Sequence, residues 1–192
     1  MASKIKVDTL ETANGSGTIA LSNQLSGMTT ASLPTLTSAE MPSGSVLQVG
    51  HVHVGTVATG TTPMPFDSTI PQITEGDEFM SLSFTPKNAS NILIIESAAS
   101  VSTNINDYAG FALFQDTVTN ALSSKASFVS PTYAIMPLML QHRMVAGTTS
   151  AITFRIRVGA QVANTTTFNG RVGGLVGGSV VSSYITVTEY AA

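Results

Sequence analysis

Cysteine and tryptophan are absent from these 192 residues, and charge is scarce. Without cysteine there is no disulfide scaffold and no thiolate metal site. Charged residues make up 10% of the chain, against roughly 25% in ordinary soluble domains. Ser, Thr, Asn and Gly take their place, so the expected surface is polar but uncharged. Such a surface suits a protein that buries large areas between subunits, because a buried charge costs far more than a buried hydroxyl. The net charge is −3, and the nearest approach to a basic cluster is the pair Arg155 and Arg157. That is no electrostatic footprint for nucleic acid. Long apolar runs are missing too. The best, YAIMPLMLQHRMV from Tyr133 to Val145, is broken by Pro137 and by Gln141-His142-Arg143, and it is too short to span a bilayer. The opening MASKIKVDTLETANG has no apolar stretch of the secretory-leader kind. The expectation is a chain that is soluble as made, with no nucleic-acid or membrane partner.

The apolar fraction is 43%, enough for one real core plus an appendage. Composition shifts near residue 45. Residues 1–45 contain fifteen Ser or Thr and no aromatic. Their apolar residues come in two small sets, Ile5, Val7 and Leu10, then Ile19, Leu21 and Leu25, separated by an Asn14-Gly15 turn signal. Both sets alternate with polar residues as half-buried strands do. A hairpin that short holds no core alone. Residues 1–45 therefore read as an extended attachment arm that becomes ordered by lying on something else.

From residue 46 to 192 the text is strand, turn, strand. SVLQVGHVHVGTV alternates, and DEFMSLSFTP sets Phe79, Ser81 and Ser83 against Met80, Leu82 and Phe84. SNILIIESAASVST is nearly continuous in apolar residues and suits a buried central strand. In ITFRIRV, Ile152, Phe154, Ile156 and Val158 face one way, and Thr153, Arg155 and Arg157 the other. AGFALFQDTVTN, TYAIMPLML and SSYITVTEY complete the set, and no segment has the period of an amphipathic helix. About eight short strands with Gly, Pro, Asn and Thr turns predict an all-β, antiparallel β-sandwich, a jelly roll.

Few residues suggest chemistry. His51 and His53 in VGHVHVG share one face of a strand with Val49, since strand side chains repeat every two residues. Two ligands are too few for a closed zinc site. On a threefold axis, three copies would supply six imidazoles, which suits an octahedral late first-row metal. The alternative is an exposed or interface strand whose histidines bond their neighbours. TEGDEF lacks the alternating oxygen ligands of a calcium loop and reads as a solvated turn. GRVGGLVGGSV has no Gly-Lys-Ser/Thr end and precedes no helix, so it is not a phosphate loop; its glycines predict a bulge or a close backbone approach. No G-x-S-x-G occurs, and no nucleophile, base and acid can be grouped. The inventory argues against an enzyme and calls for no cofactor beyond that axial metal ion.

SKIKVDTLETANGSGTIALSNQLSG followed by MPSGSVLQV resembles the N-terminal region of small virion proteins of tailed bacteriophages, especially aquatic and cyanobacterial ones. SSYITVTEYAA resembles the final strand of the same family, which reads Ser-x-Ile-Thr-Val-x-Glu before the chain stops. The resemblance covers both ends closely and the middle in pattern. It implies a non-enzymatic virion structural protein: a homotrimer with a tumour-necrosis-factor-like jelly-roll head, joined through its arm to other phage virion proteins. A short tail fibre or receptor-binding part would attach to tail or baseplate and meet a host surface glycan. A capsid decoration, or cement, protein would clamp the major capsid protein. Histidine pairs spaced like His51 and His53 bind iron on the threefold axis of some phage spikes.

Overall fold

The computed structural model describes residues 40–129 and 134–192. The arm residues Ile5, Val7, Leu10, Ile19, Leu21 and Leu25 lie outside the described residues. In chain order the strands are β1 (Val46–Val54), β2 (Ala58–Gly60), β3 (Asp77–Phe84), β4 (Ile92–Thr103), β5 (Asp107–Gln115), β6 (Ser123–Val129), β7 (Met136–Val145), β8 (Ile152–Ala160), β9 (Thr166–Phe168), β10 (Gly170–Arg171), β11 (Gly174–Leu175) and β12 (Ser183–Tyr190). Among the described residues the helical content is one 3-10 turn, Gly177–Ser179.

All pairings are antiparallel. One sheet runs β1-β12-β4-β7, with β9 and β2 continuing it beside the far end of β4. The other runs β3-β8-β5-β6. Counting the eight long strands only, the first sheet holds the first, eighth, third and sixth, and the second holds the second, seventh, fourth and fifth. That order is the jelly roll. The protein is an antiparallel β-sandwich with jelly-roll strand order, as its alternating segments predict.

The core lies between the sheets. Leu93, Ile95, Ile185 and Val187 come from one, and Phe111, Leu113, Phe154, Ile156 and Val158 from the other; all are fully buried. Alternation places them, since residues i and i+2 share a face. Phe79 departs from the expected parity. A bulge between Glu78 and Met80 shifts the register, and the Phe79 ring turns inward to stack on Phe168 at 5.0 Å. A bulge of this kind inserts one residue and swaps the faces of those before it.

Strand register gives the sandwich two distinct ends. Val46 pairs with Tyr190, and Tyr190 with Ile92. The Gly44 amide donates to the Ala191 carbonyl at 2.9 Å. The chain thus enters the sandwich at the end that holds its C-terminus. The strand ends at Thr103, Val129 and Ala160 lie at the opposite end, because Asp107 pairs with Val129 and Ala109 with Ala160.

Candidate functional site

The two outer faces of the sandwich are built differently. Residues 61–76 cross the outer face of β3-β8-β5-β6 and are pinned there. The Met64 amide donates to Ala160 O at 2.7 Å, Ile73 to Thr119 O at 2.8 Å, and Ala121 to Pro71 O at 2.9 Å. Asp77 accepts from the Thr62 amide at 2.9 Å and from its hydroxyl at 2.7 Å. Met64 packs with Ala112 and Phe114, backed by Ile73 and Ala121. Gly110 and Gly159 are register partners beneath this crossing. A Cβ on Gly110 would sit 2.7 Å from the Met64 sulfur, and one on Gly159 would sit 2.6 Å from Thr62 O. Only glycine admits the crossing segment. Charge also gathers here: Arg155 bonds Glu78 at 2.9 Å, and Arg157 holds the carbonyls of Glu75 and Gly76 at 2.9 and 2.7 Å. The TEGDEF turn is therefore an ordered clamp rather than a solvated loop.

No described segment crosses the outer face of β1-β12-β4-β7. Register sets four transverse rows on it: Val46, Tyr190, Ile92 and Val145; Val49, Thr188, Ile94 and Arg143; His51, Thr186, Glu96 and Gln141; His53, Tyr184, Ala98 and Met139. Val49 is 58% exposed and Met139 65%. Besides the two histidines, these rows carry one carboxylate and one guanidinium. β4 reads as a continuous apolar run because its outward residues Ile92, Ile94 and Ala98 are apolar as well, although they are only half-buried. The YAIMPLML segment divides in the same way. Leu138 and Leu140 enter the core, while Pro137 and Met139 face out.

His51 and His53 both project from this face, as their spacing predicts. The His51 Nδ1 lies 2.8 Å from the Thr186 hydroxyl, and its ring stacks on Tyr184 at 5.9 Å. No group of three or more His, Cys, Asp or Glu among the described residues could hold a metal. One chain therefore supplies two imidazoles, with His51 already held on one nitrogen. His142 points the other way, beside Ile95, and burial pushes its pKa below the usual 6.5.

Glu189, the last residue of the Ser-x-Ile-Thr-Val-x-Glu pattern, is fully buried. Its carboxylate accepts from Gln48 Nε2 at 2.6 Å, Asn91 Nδ2 at 2.6 Å and the Lys87 amide at 2.8 Å. It ties the start of β1, the β3–β4 turn and the last strand together. The Ser183 that opens the pattern is buried too; its hydroxyl donates to Asn169 Oδ1 at 2.6 Å. Glu189 carried a sequence signal: it shares the inward parity of Ile185 and Val187. GRVGGLVGGSV forms the small β10-β11 hairpin, whose tip residues Val172 and Gly173 have φ of 51° and 72°. Two positive φ values are what a two-residue primed turn needs. A β-branched residue there is strained.

No family model matches the chain, and no curated protein matches it. Solved structures offer distant likenesses. A xylan-binding CBM22-1 domain of Xyn10C from Paenibacillus barcinonensis is 13% identical, with 79% of this chain and 99% of that one covered, at a TM-score of 0.38. The tumour necrosis factor Eiger from S. frugiperda is 10% identical, over 74% and 92%, at 0.36. The VP2 subviral particle of infectious bursal disease virus is 12% identical, over 77% and 39%, at 0.32. Scores this low say nothing of ligand or partner, and the fold stands on the strand pairing itself. No described helix is long and apolar enough to cross a membrane.

Proposed function

We propose that this is a non-enzymatic structural protein of a tailed-bacteriophage particle, a short tail fibre or receptor-binding part. Residues 1–45 attach it to other virion proteins. Residues 46–192 form a head that associates with two further copies through the outer face of β1-β12-β4-β7.

The observation that carries this reading is the contrast between the outer faces. Among the described residues, the 61–76 segment covers one, and no segment crosses the other, whose sixteen row positions carry Glu96 and Arg143 as their formal charges. Four strands at about 4.8 Å spacing and about nine residues at about 3.4 Å each give roughly 600 Å² in projection. That is the order of one side of a standard protein interface, about 800 Å². Tyr184, Tyr190 and Met139 on this face are residue types enriched in interface cores. The two resemblances at the chain ends supply the virion context. The absence of any grouped nucleophile, base and acid in the sequence supports a non-enzymatic role.

The second reading, a capsid decoration protein, uses the same arm and the same trimeric head. Quantitative immunoblotting of purified particles tests both. A few copies per particle is the outcome expected for a tail position. A copy number near that of the shell protein would favour decoration, and absence from particles would overturn the virion reading altogether.

A further inference from the structure

The end of the sandwich opposite the chain entry carries an exposed aromatic cluster. Phe66 is 52% exposed, Tyr108 42% and Phe128 47%. Phe66 stacks on Tyr108 with centroids 5.3 Å apart and planes at 23°. Phe128 meets Tyr108 edge-on at 5.2 Å. The sequence has only eight Phe and four Tyr, so placing three of them together in solvent is a real expense of apolar surface. Clusters of this kind mark binding surfaces.

The three rings come from separate elements, each fixed by its own bonds. Phe66 belongs to the pinned 61–76 crossing. Tyr108 is the second residue of β5, where its amide donates to Asp107 Oδ1 at 2.8 Å and its carbonyl accepts from Gln161 N at 2.9 Å. Phe128 sits directly across from Tyr108 in the β5-β6 ladder. The rings are therefore set before any ligand arrives. Next to Phe66, Asp67 is exposed; one of its oxygens is taken by the Thr69 amide at 2.7 Å and hydroxyl at 2.6 Å. Its other oxygen is open to a hydroxyl donor.

We propose that Phe66, Tyr108 and Phe128 form a stacking platform for a neutral pyranose-containing glycan, with Asp67 accepting from its hydroxyls. This rests on the virion reading only in naming the glycan as a host-surface one. A pyranose ring has a face of polarised C–H groups and a rim of hydroxyls. Aromatic faces carry negative quadrupole density that attracts the first, and a carboxylate accepts strong charge-assisted bonds from the second. The carboxylates beside the platform, the exposed Asp67 and the buried Asp107, are both negative, which repels uronates, sialosides and phosphates and so selects a neutral ligand. Register sets the platform at the end of the sandwich opposite Gly44, where the described chain enters it.

The test is calorimetric titration of the full-length protein with xylohexaose, cellohexaose and maltohexaose, beside an oligoguluronate. Phe66→Ala, Tyr108→Ala and Phe128→Ala are compared, each checked for melting temperature and solution mass. The expected result is binding of at least one neutral oligosaccharide, weakened at least tenfold by Phe66→Ala and Tyr108→Ala, with mass and melting temperature unchanged. Three results would overturn the proposal: no binding by any neutral oligosaccharide, equal or tighter binding of the guluronate, or binding untouched in all ring variants. A ring variant that lowers the solution mass would overturn it as well, by assigning the rings to contact between copies. Particle immunoblots stay positive in any of these cases if the virion reading is right, so the two failures are told apart.

Discussion

The outer faces of β3-β8-β5-β6 and β1-β12-β4-β7 belong to one chain and one fold, yet they solve the same problem in opposite ways. Each sheet has an inner face that fills the core and an outer face that must meet something. The first meets its own 61–76 segment, with two glycines under Met64 and an Arg155–Glu78–Arg157 cluster beside it. The second meets no described segment and carries Ile92, Ile94, Tyr184, Tyr190 and Met139 outward. Ion pairs and a covering loop are what a face finished within one chain looks like. A face of mainly apolar and hydroxyl groups, with Glu96 and Arg143 as its formal charges, is what a face finished by another copy looks like.

Perturbations should separate the two faces, and one should not. Glu189→Ala removes the acceptor shared by four donors, Gln48 Nε2, Asn91 Nδ2 and the Lys87 and Asn88 amides, of which Gln48 Nε2 keeps the Thr85 carbonyl. Hydrogen bonds to a charged group contribute about 1.5–3 kcal/mol each and leave buried donors unpaired when lost. A stability loss on the order of 3 kcal/mol or more is expected in urea titration, whatever the state of association. A smaller effect belongs to the covered face: Met64→Ala empties the space over Gly110 and should cost about 2 kcal/mol, the low end of the range for buried Met-to-Ala changes, because a surface-crossing segment can settle into the gap. On the bare face Met139→Ala should leave the isolated fold within about 0.5 kcal/mol, as surface changes do, while increasing the concentration dependence of melting. Equal effects from Met64→Ala and Met139→Ala would erase the distinction between the faces.

The smallest expected effect is that of pH. Burial holds the His142 pKa below 6.5 in the folded protein. The unfolded chain takes up its proton first as pH falls, so the contribution of His142 is intact above pH 6.5 and declines below it. Melting temperature should therefore drop as pH falls below about 6.5, with part of the drop removed by His142→Gln. A slope unchanged in that variant would assign the pH response to other groups. Metal analysis addresses the outward histidines. Axial coordination by His51 and His53 requires about one ion per three chains, lost in the double Gln variant.

Much of this architecture is legible in the sequence because the inward rows alternate cleanly. Ile152, Phe154, Ile156 and Val158 all enter the core as their spacing predicts. His51 and His53 fall on one outward face for the same reason. What escapes the sequence depends on register between distant segments. The bulge at Glu78 turns Phe79 inward, and no local signal marks it. The pairing of Gly110 with Gly159 under Met64 needs the crossing of 61–76 to be known. The meeting of Phe66, Tyr108 and Phe128 needs three separate elements placed. Glu189 is different: a carboxylate in the inward parity of an alternating strand is a readable sign of a buried, bonded acid.

The central claim is that the bare face of β1-β12-β4-β7 is closed by two further copies of the chain. Light scattering of the full-length protein at micromolar concentration tests it most directly. The account predicts a mass three times the 19.8 kDa of one chain, falling to that of one chain in Ala98→Arg, which places a charge between Tyr184 and Met139. A monomeric wild-type protein, or a trimer that Ala98→Arg leaves intact, would contradict it.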